Sequence, residues 1–157
     1  MVKGRVAKLF QIKEERYAAA LEIAAGNKLF YIVVDNDIVA SLLLKHESFS
    51  TRVHLIPNNK VVSREPKKEV VDYVRNVTKG RARFAMELIK YNAYLENTMK
   101  HIFGNVIVCE DAETAKKLAF DPFVKMKTVT IEGDIYNPTG TLEGGYSENS
   151  LLRRVKE

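Results

Sequence analysis

Few residues in the sequence are of the types that carry catalysis, and those few are widely separated. The three histidines, His46, His54 and His101, form no i, i+4 pair and have no carboxylate at the spacing of a zinc-binding helix. The single cysteine, Cys109, lies in the apolar run NVIVCED, which predicts a buried thiol and excludes a disulfide framework. Sequence signatures of a nucleophile elbow, a phosphate-binding lysine loop or a dinucleotide site are missing. We therefore expect a binding module and not an enzyme, with no metal or cofactor in this chain.

Two pairs of carboxylates are the remaining candidates for acid–base chemistry. Asp35 with Asp37, and Glu110 with Asp111, lie where a predicted strand passes into a predicted helix. A carboxylate oxygen at such a junction accepts a hydrogen bond from an N–H of the first helical turn. Its negative charge also interacts favourably with the positive N-terminal end of the helix dipole. We therefore predict that these carboxylates are helix caps.

Glycine is concentrated in the segment EGDIYNPTGTLEGGY, which holds half of the eight glycines in the chain: Gly133, Gly140, Gly144 and Gly145. One explanation is a run of turns built on Asn137, Pro138 and Gly140. A second is a phosphate-cradling loop, although no Lys-Ser/Thr pair follows it. A third is a close approach of two backbones, as where strand edges from two chains meet. The residues alone leave all three open.

The composition is that of a globular chain large enough to bury a core. It has 157 residues, of which 46% are hydrophobic, so we expect one domain or two small subdomains. No apolar run approaches the roughly 18 residues of a membrane helix, and the N-terminus MVKGRVAKLF lacks the features of a signal peptide. These features favour a cytosolic or nuclear location and no membrane partner.

An order of elements occurs twice along the chain. The helix AALEIAAG ends at Gly26 and is followed by the strand LFYIVVD, the helix VASLLLKH and the strand RVHLI, which Pro57 ends. FAMELI, the helix YLENTMKHIFG, the strand NVIVCED, the helix AETAKKLA and the strand TVTIEG then repeat the pattern. We predict a mixed α/β (α+β) fold of two pseudo-repeated halves, about 4–62 and 82–138.

The spacing between matching residues supports an internal repeat. The offset is 79 for Leu9/Leu88 and Phe10/Ile89, then 78 for Gly26/Gly104 and Asn27/Asn105. An offset of 76 is predicted for all later landmarks, which are Asp35/Asp111, Leu42/Leu118, Val53/Val129, Leu55/Ile131 and Pro57/Gly133. A drift of only three residues across five elements indicates duplication or pseudo-symmetry.

The positive charge of the chain is concentrated between the two halves. The formal net charge is +5, and the window from Lys60 to Lys90 has nine basic and four acidic residues. Its basic residues include Lys67, Lys68, Arg75, Lys79, Arg81 and Arg83. Pro66 and the spacing of Val70, Val74 and Val77 predict a linker helix over about 66–79 whose basic face points to solvent. Nucleic acid is one partner that such a surface suits, and a merely solvated face is the alternative.

The runs FGNVIVCEDAETAKKLAFDP and TVTIEGDIYNPTGTLEGG, with VKGRVAKLF and AAGNKLFYIVVD, resemble the hinge domain of structural maintenance of chromosomes (SMC) proteins. The likeness extends from about Val2 to Gly145, and the terminal glycine motif is its most specific part. Within the family, the NP-x-GTL-x-GG ending and the CEDAETAKK run look most like a condensin subunit, and AGNKLFY and GGY look more like a cohesin subunit. The resemblance implies a hinge domain over 1–145 and, over 146–157, the start of an outgoing coiled-coil arm.

The resemblance also implies a function. Two hinges of this family join through two contact surfaces into a ring-like dimer, which places Gly133, Gly140, Gly144 and Gly145 at or beside the interface. The implied partner is another SMC hinge, with condensin subunit four as first choice and a homodimer in isolation as the alternative. ATP and Mg²⁺ belong to a head domain that this chain does not contain, so the sequence is interpreted as an excised domain located in the nucleus on chromosomes, with a cytoplasmic pool.

Weak DNA binding, with a preference for single strands, is a further implication of the resemblance. Basic residues at the junction with the arms are expected to meet there: Lys3, Arg5, Arg153, Arg154 and Lys156. Tyr146 is placed to stack on a base, and a core or turn role is the alternative for it. A module whose main task is single-stranded nucleic-acid binding remains a competing hypothesis.

Overall fold

The computed structural model describes residues 2–45 and 54–144. The first half contains β1 (Val2–Arg5), β2 (Phe10–Ile12), α1 (Ala18–Ala25), β3 (Ile32–Val34), α2 (Asp37–Lys45) and β4 (Leu55–Pro57). The linker contains α3 (Lys68–Thr78). The second half contains β5 (Ala82–Phe84), β6 (Ile89–Tyr91), α4 (Glu96–Phe103), β7 (Val106–Cys109), α5 (Ala112–Ala119), β8 (Lys127–Thr130), β9 (Asp134–Tyr136) and β10 (Leu142–Gly144). Short 3₁₀ turns occupy Val6–Lys8, Glu15–Tyr17, Gly26–Phe30, Ala85–Leu88 and Ala93–Leu95.

The two halves have the same sheet topology, which confirms the predicted repeat. In the first half β1 lies antiparallel to β3, and β3 lies parallel to β4. In the second half β5 lies antiparallel to β7, and β7 lies parallel to β8. The second sheet then continues through β9 and β10, giving the order β10-β9-β8-β7-β5 against β1-β3-β4. The described part of the first half has no strands that correspond to β9 and β10.

A two-stranded ribbon joins the halves along an approximate two-fold axis. In it β2 lies antiparallel to β6 with Gln11 opposite Lys90, Phe10 opposite Tyr91 and Ile12 opposite Ile89. An offset of 79 maps each strand onto the other, so the pairing is symmetric about the pair Gln11 and Lys90. The predicted offsets of 79 here and 78 between α1 and α4 are therefore confirmed.

The offset predicted for the later elements is wrong. Asn36 accepts a hydrogen bond from the Val39 N–H at 2.9 Å, as Asp111 does from the Thr114 N–H at 2.8 Å, so these caps correspond at an offset of 75. Ile32 lies opposite Leu55 and Ile107 lies opposite Thr128, so Leu55 corresponds to Thr128 and not to Ile131. Two shorter connections in the second half cause this. The connection from α4 to β7 changes the offset from 78 to 75, and the connection from α5 to β8, which is two residues shorter than that from α2 to β4, changes it to 73.

Pro57 lies within β4 and does not end the strand before it, contrary to the prediction. In the described residues the strand pairs only with β3, and a strand with an open edge tolerates a residue that lacks an N–H. Arg52 and Val53, which the strand was predicted to include, lie outside the described residues.

The main hydrophobic core lies between the halves. Leu21 of α1 and Met99 and Phe103 of α4 are fully buried there with Val33 of β3 and Val129 of β8. A second cluster covers the other side of the five-stranded sheet, where Val74 of α3 and Leu118 of α5 pack on Phe84, Ile107 and Met126. The second sheet is therefore covered on both faces.

The linker helix begins and ends close to the prediction and buries two of the three valines from which it was predicted. Val70 and Val74 are buried, whereas Val77 is 41% exposed. Thr78 takes the third buried place, and its hydroxyl donates to the Val74 carbonyl at 2.7 Å. Lys79 ends the helix with a left-handed backbone, φ +48. None of the described helices is long and apolar enough to cross a membrane.

Candidate dimer and nucleic-acid interfaces

The glycine-rich segment forms a tight hairpin between β9 and β10. The Gly140 N–H donates to the Asn137 carbonyl at 2.9 Å, and the Asn137 N–H donates to the Thr141 carbonyl at 3.0 Å. The Asn137 side-chain amide also reaches the Thr141 hydroxyl at 3.0 Å. Gly140 has φ +100, which a residue with a side chain rarely adopts. The turn chemistry predicted for Asn137, Pro138 and Gly140 is confirmed.

This geometry disfavours the phosphate-loop hypothesis. The loop joins two antiparallel strands, so no helix N-terminus follows it within the described residues.

β10 is the exposed outer strand of the five-stranded sheet. All three of its residues are exposed, and Leu142 is 59% exposed despite its apolar side chain. The strand pairs with β9, and in the described chain no strand lies on its outer side. Such an edge offers backbone N–H and C=O groups to another strand, and the glycine in it, Gly144, lets that strand come close.

The four glycines predicted at the interface lie in different environments. Gly140 and Gly144 are exposed, in the hairpin turn and in β10. Gly133 is buried in the turn between β8 and β9, where φ is +100 and its N–H donates to the Thr130 carbonyl at 2.9 Å. Gly145 lies outside the described residues.

Several of the basic residues predicted to contact DNA are paired with carboxylates. Arg75 forms a salt bridge with Glu87, which Arg83 also approaches at 3.9 Å. Arg81 lies 3.2 Å from Asp111, a residue outside the basic window that the sequence analysis treated only as a cap. These ion pairs are solvent-exposed and lower the positive potential that the charge count suggests.

Lys3 is also paired, at the junction between the halves. Its amino group lies 3.2 Å from the Asp35 carboxylate and 4.7 Å from the centre of the Tyr94 ring. The hydrogen bond from Lys3 lowers the pKa of Asp35 and in return raises the pKa of Lys3. Because Asp35 interacts with Lys3, it does not act as the helix cap, and Asn36 takes that role.

Four of the predicted DNA contacts are exposed and form no salt bridge with another described residue: Arg5, Lys67, Lys68 and Lys79. Arg153, Arg154, Lys156 and Tyr146 lie outside the described residues. Of the two predicted junction groups, only Lys3 and Arg5 are therefore described.

The other carboxylates and the polar candidates for catalysis have structural roles. Asp37 accepts from the Asn59 side chain at 3.1 Å, which lowers its pKa, and Glu110 accepts from Arg16 at 3.1 Å. The Asp111 pKa is lowered first by the Thr114 backbone N–H that it caps. Burial raises the pKa of the Cys109 thiol to about 12, so it is uncharged near neutral pH.

Two of the histidines are described, and neither lies in a metal-binding cluster. His54 stacks on Tyr31 with ring centres 4.6 Å apart, and His101 Nδ1 lies 2.9 Å from the Val62 carbonyl. Among residues 2–45 and 54–144, no three His, Cys, Asp or Glu side chains are grouped to hold a metal ion. His46 lies outside this part of the chain.

Two features of the site were missed by the sequence analysis. One is that β9 and β10 form a hairpin that extends the sheet, although the alternation in DIY and the NPTG turn were a usable signal. The other is that Glu87 pairs with Arg83 and Arg75. The i, i+4 spacing of Arg83 and Glu87 signals the first pair, whereas the second depends on the tertiary fold.

Comparison with known proteins identifies the same fold and sequence pattern. The family model for the flexible hinge domain of SMC proteins matches residues 1–119. Structural maintenance of chromosomes protein 2 of Saccharomyces cerevisiae is 39% identical over 151 residues, 95% of this chain and 13% of that protein. Its counterpart in Schizosaccharomyces pombe is 41% identical over 146 residues, 92% of this chain and 12% of that protein. The chain therefore spans about an eighth of the length of these relatives.

Among solved structures, the chain is similar to the SMC hinge domain of Geobacillus stearothermophilus, which was crystallised as an asymmetric dimer. The TM-score is 0.79 at 26% identity, and the match covers 99% of this chain and 65% of the other.

Proposed function

The chain belongs to the flexible hinge domain family of SMC proteins, and we propose that it pairs with the hinge of a partner SMC subunit through its open sheet edges. Its relatives named above are SMC protein 2 from two yeasts, which confirms the condensin-type resemblance over the cohesin-type one. The partner that we propose is condensin subunit four.

The single observation that carries this proposal is the difference between the outer edges of β8 and β4. These strands occupy corresponding places in the two halves. In the second half β9 covers the outer edge of β8 and β10 follows it. In the first half no described strand covers β4. A β10 strand supplied by a partner would extend the first sheet as β9 and β10 extend the second.

One chain presents both kinds of edge, which determines the form of the assembly. If β10 of each chain pairs with the first half of the other, two contacts form and the pair closes on itself. A closed pair leaves no free edge of either kind for further addition. The result is a ring-like dimer and not a fibre.

The exposed glycines support a close contact at this edge. Gly144 lies in β10, and Gly140 holds the hairpin turn that positions the strand. Replacing Gly144 by Glu would place a charge against the incoming backbone, where it would lose water without gaining a partner. We propose the interface role for Gly144 and Gly145 and a supporting turn role for Gly133 and Gly140.

The proposal is tested by mixing this chain with the hinge of condensin subunit four and measuring the mass by light scattering after gel filtration. We expect a 1:1 complex at micromolar concentration, and weaker pairing for Gly144→Glu by about a hundredfold. Asn76→Glu adds the same charge at an exposed site on α3 and serves as the matched control. Persistent monomers of both hinges, or equal pairing by both variants, would refute the proposal.

A second function that we propose is weak binding of single-stranded DNA. The supporting observation is that Lys67, Lys68 and Lys79 are exposed on or beside α3 and form no salt bridge with another described residue. Arg75, Arg81 and Arg83 remain members of the proposed surface, although carboxylates pair with them. Lys3 and Arg5, with Arg153 and Arg154, form the second proposed surface.

DNA binding is tested by titrating single-stranded DNA at several salt concentrations. Binding through several phosphates gives a steep fall of affinity with salt, and a flat response would contradict it. Charge reversal at Lys67 and Lys68 in one variant, and at Arg153 and Arg154 in another, separates the two surfaces. If only the second variant loses affinity, the linker helix is solvated and not a DNA contact.

For the full-length protein we propose a nuclear, chromosome-associated location with a cytoplasmic pool. We also propose that ATP and Mg²⁺ act at a head domain outside this chain.

A further inference from the structure

A cavity of about 210 Å³ lies where the linker crosses the second half. Its apolar lining comes from Phe84 of β5, from Met86 in the turn after β5, and from Phe103 of α4. Val71 of α3 forms one wall. Phe84 is 7% exposed and Phe103 is fully buried, so the floor of the cavity is formed by side chains of the two hydrophobic clusters. A volume of this size holds one large apolar side chain.

The opposite wall is the linker segment before α3, which is fastened to α4. The Arg64 N–H donates to the Lys100 carbonyl at 3.4 Å, and the Lys100 amino group lies 3.1 Å from Glu65. Gly104 permits this crossing, because a Cβ there would lie 1.9 Å from the Arg64 carbonyl oxygen. The cavity is thus bounded by fastened segments and is formed before any ligand arrives.

The mouth of the cavity is basic. Its two carboxylates are already paired, Glu87 with Arg75 and Arg83, and Glu65 with Lys100. Arg64 lies on the rim, is exposed, and forms no salt bridge with another described residue. Lys67 and Lys68 follow on the same segment and are also exposed. An apolar pocket beneath unpaired cations suits a ligand that carries one apolar side chain between carboxylates.

We propose that this cavity binds a short acidic segment of a partner protein by taking up one of its aromatic or large aliphatic side chains. Carboxylates on either side of that anchor face Arg64 and the start of α3. The site lies on α3, α4 and the linker, with Phe84 of β5 at the opposite edge of the second sheet from β10.

The probe for this site is a fluorescein-labelled peptide, Glu-Asp-Glu-Phe-Glu-Asp-Glu, with a matched peptide that has Ser in place of Phe. Binding to the whole chain is followed by fluorescence anisotropy at low and moderate salt. We expect the Phe peptide to bind about tenfold more tightly than the Ser peptide, because only Phe fills the cavity. Two peptides that bind alike would overturn the proposal, since charge alone would then explain the binding, and so would the absence of binding by the Phe peptide.

Two variants locate the binding. Val71→Phe fills the cavity and should remove the difference between the peptides, and Arg64→Glu should weaken the Phe peptide by about threefold or more. Lys116→Glu, an exposed charge reversal on α5, is the matched control and should leave binding unchanged. Thermal unfolding shows whether each variant folds. If Val71→Phe does not fold, the test rests on Arg64→Glu, because Arg64 is exposed and its replacement should not disturb the core. Unchanged binding by a folded variant contradicts the proposal.

Single-stranded DNA is the competitor that separates two classes of ligand. If DNA displaces the Phe peptide and Val71→Phe weakens DNA as much as peptide, the cavity is part of a nucleic-acid site and the proposal is wrong. The alternative is that DNA leaves the peptide bound, or displaces it equally from the wild type and the Lys116→Glu control while binding Val71→Phe with unchanged affinity. In either case the cavity takes up the apolar side chain of the peptide and does not contribute to DNA binding.

Discussion

The two halves of this molecule share a topology but differ in how completely each is covered. The second sheet has helices α3 and α5 on one face, the main core on the other, and a hairpin beyond β8. Within residues 2–45 and 54–144, the first sheet has three strands, with β4 at its edge. Its helix α2 exposes three large apolar side chains, Ile38 by 67%, Leu42 by 52% and Leu44 by 56%. In the second half, β9 and β10 thus cover the edge of β8. In the described part of the first half, the edge of β4 and the apolar side chains of α2 remain exposed.

This difference suits a domain that must bind without polymerising. An open edge is a hazard in a monomer because any strand can add to it. Here the chain that has the open edge also carries the strand that would cover it in a partner. In the proposed pairing, the asymmetry between the duplicated halves would provide two equivalent contacts.

The largest predicted effect distinguishes corresponding glycines in the two halves, Gly104 and Gly26. Gly104→Ala should lower the free energy of unfolding by about 4 kcal/mol, because its Cβ would meet backbone atoms at 1.9 and 2.4 Å that cannot move independently. Gly26→Ala should cost only about 1 to 3 kcal/mol, because φ is +56 but no atom lies within 4 Å of the new Cβ. Urea unfolding of both variants measures the difference, and equal costs would show that the linker does not bind α4 closely.

The second prediction compares the outer helices. Leu118 of α5 is 1% exposed, whereas its counterpart at the observed offset of 75, Leu43 of α2, is only partly buried. Leu118→Ala should cost about 3 kcal/mol and Leu43→Ala about half as much in the unpaired chain. Chemical denaturation at low protein concentration checks this. A similar loss at both positions would mean that the first half is as well packed as the second.

The smallest effect concerns a contact between the halves. Lys127 of β8 donates to the Ala24 carbonyl of α1 at 3.3 Å. Burial is the main cause that lowers the pKa of Lys127 from 10.5, and the positive charge of Lys28 is the second. The folded state therefore loses this proton before the unfolded state does, so the wild type should gain stability as the pH rises towards 10.5. Relative to Lys127→Met, the gain should be below about 1 kcal/mol.

Denaturant unfolding at several pH values measures this gain, with Lys116→Met at an exposed position as the control. A wild-type stability that falls relative to Lys127→Met over the same range would contradict the burial of the lysine.

The repeat was predictable because it depends on local patterns. Hydrophobic periodicity and the glycine after α1 and α4 gave the element order, and the offsets of 79 and 78 follow from segments of nearly equal length. The later offset of 76 failed because the connections before β7 and β8 are shorter than those before β3 and β4, and nothing in these connections marks where the strand resumes. The prediction that Pro57 ends the strand before it was wrong because β4 lies at a sheet edge, where a residue without an N–H is tolerated.

The candidate sites were predictable only in part. The NPTG turn was predicted, because asparagine, proline and glycine have strong positional preferences in turns, but the hairpin that it closes was missed. The charge count could not show that Lys3 pairs with Asp35 or Arg81 with Asp111, because residues far apart in sequence form these contacts only in the folded chain. The same limit applies to the cavity beneath the linker, whose walls come from separate elements.

The central claim is that β10 of one hinge and the first sheet of the other form the contact. Hydrogen–deuterium exchange, read by mass spectrometry with and without the condensin subunit four hinge, tests it most directly. We predict slower exchange over 142–144 and 55–57 in the complex, with the amides of α3 and α5 unchanged. A complex of the expected mass whose protection lies on the helices, with both strands exchanging as in the free chain, would contradict it.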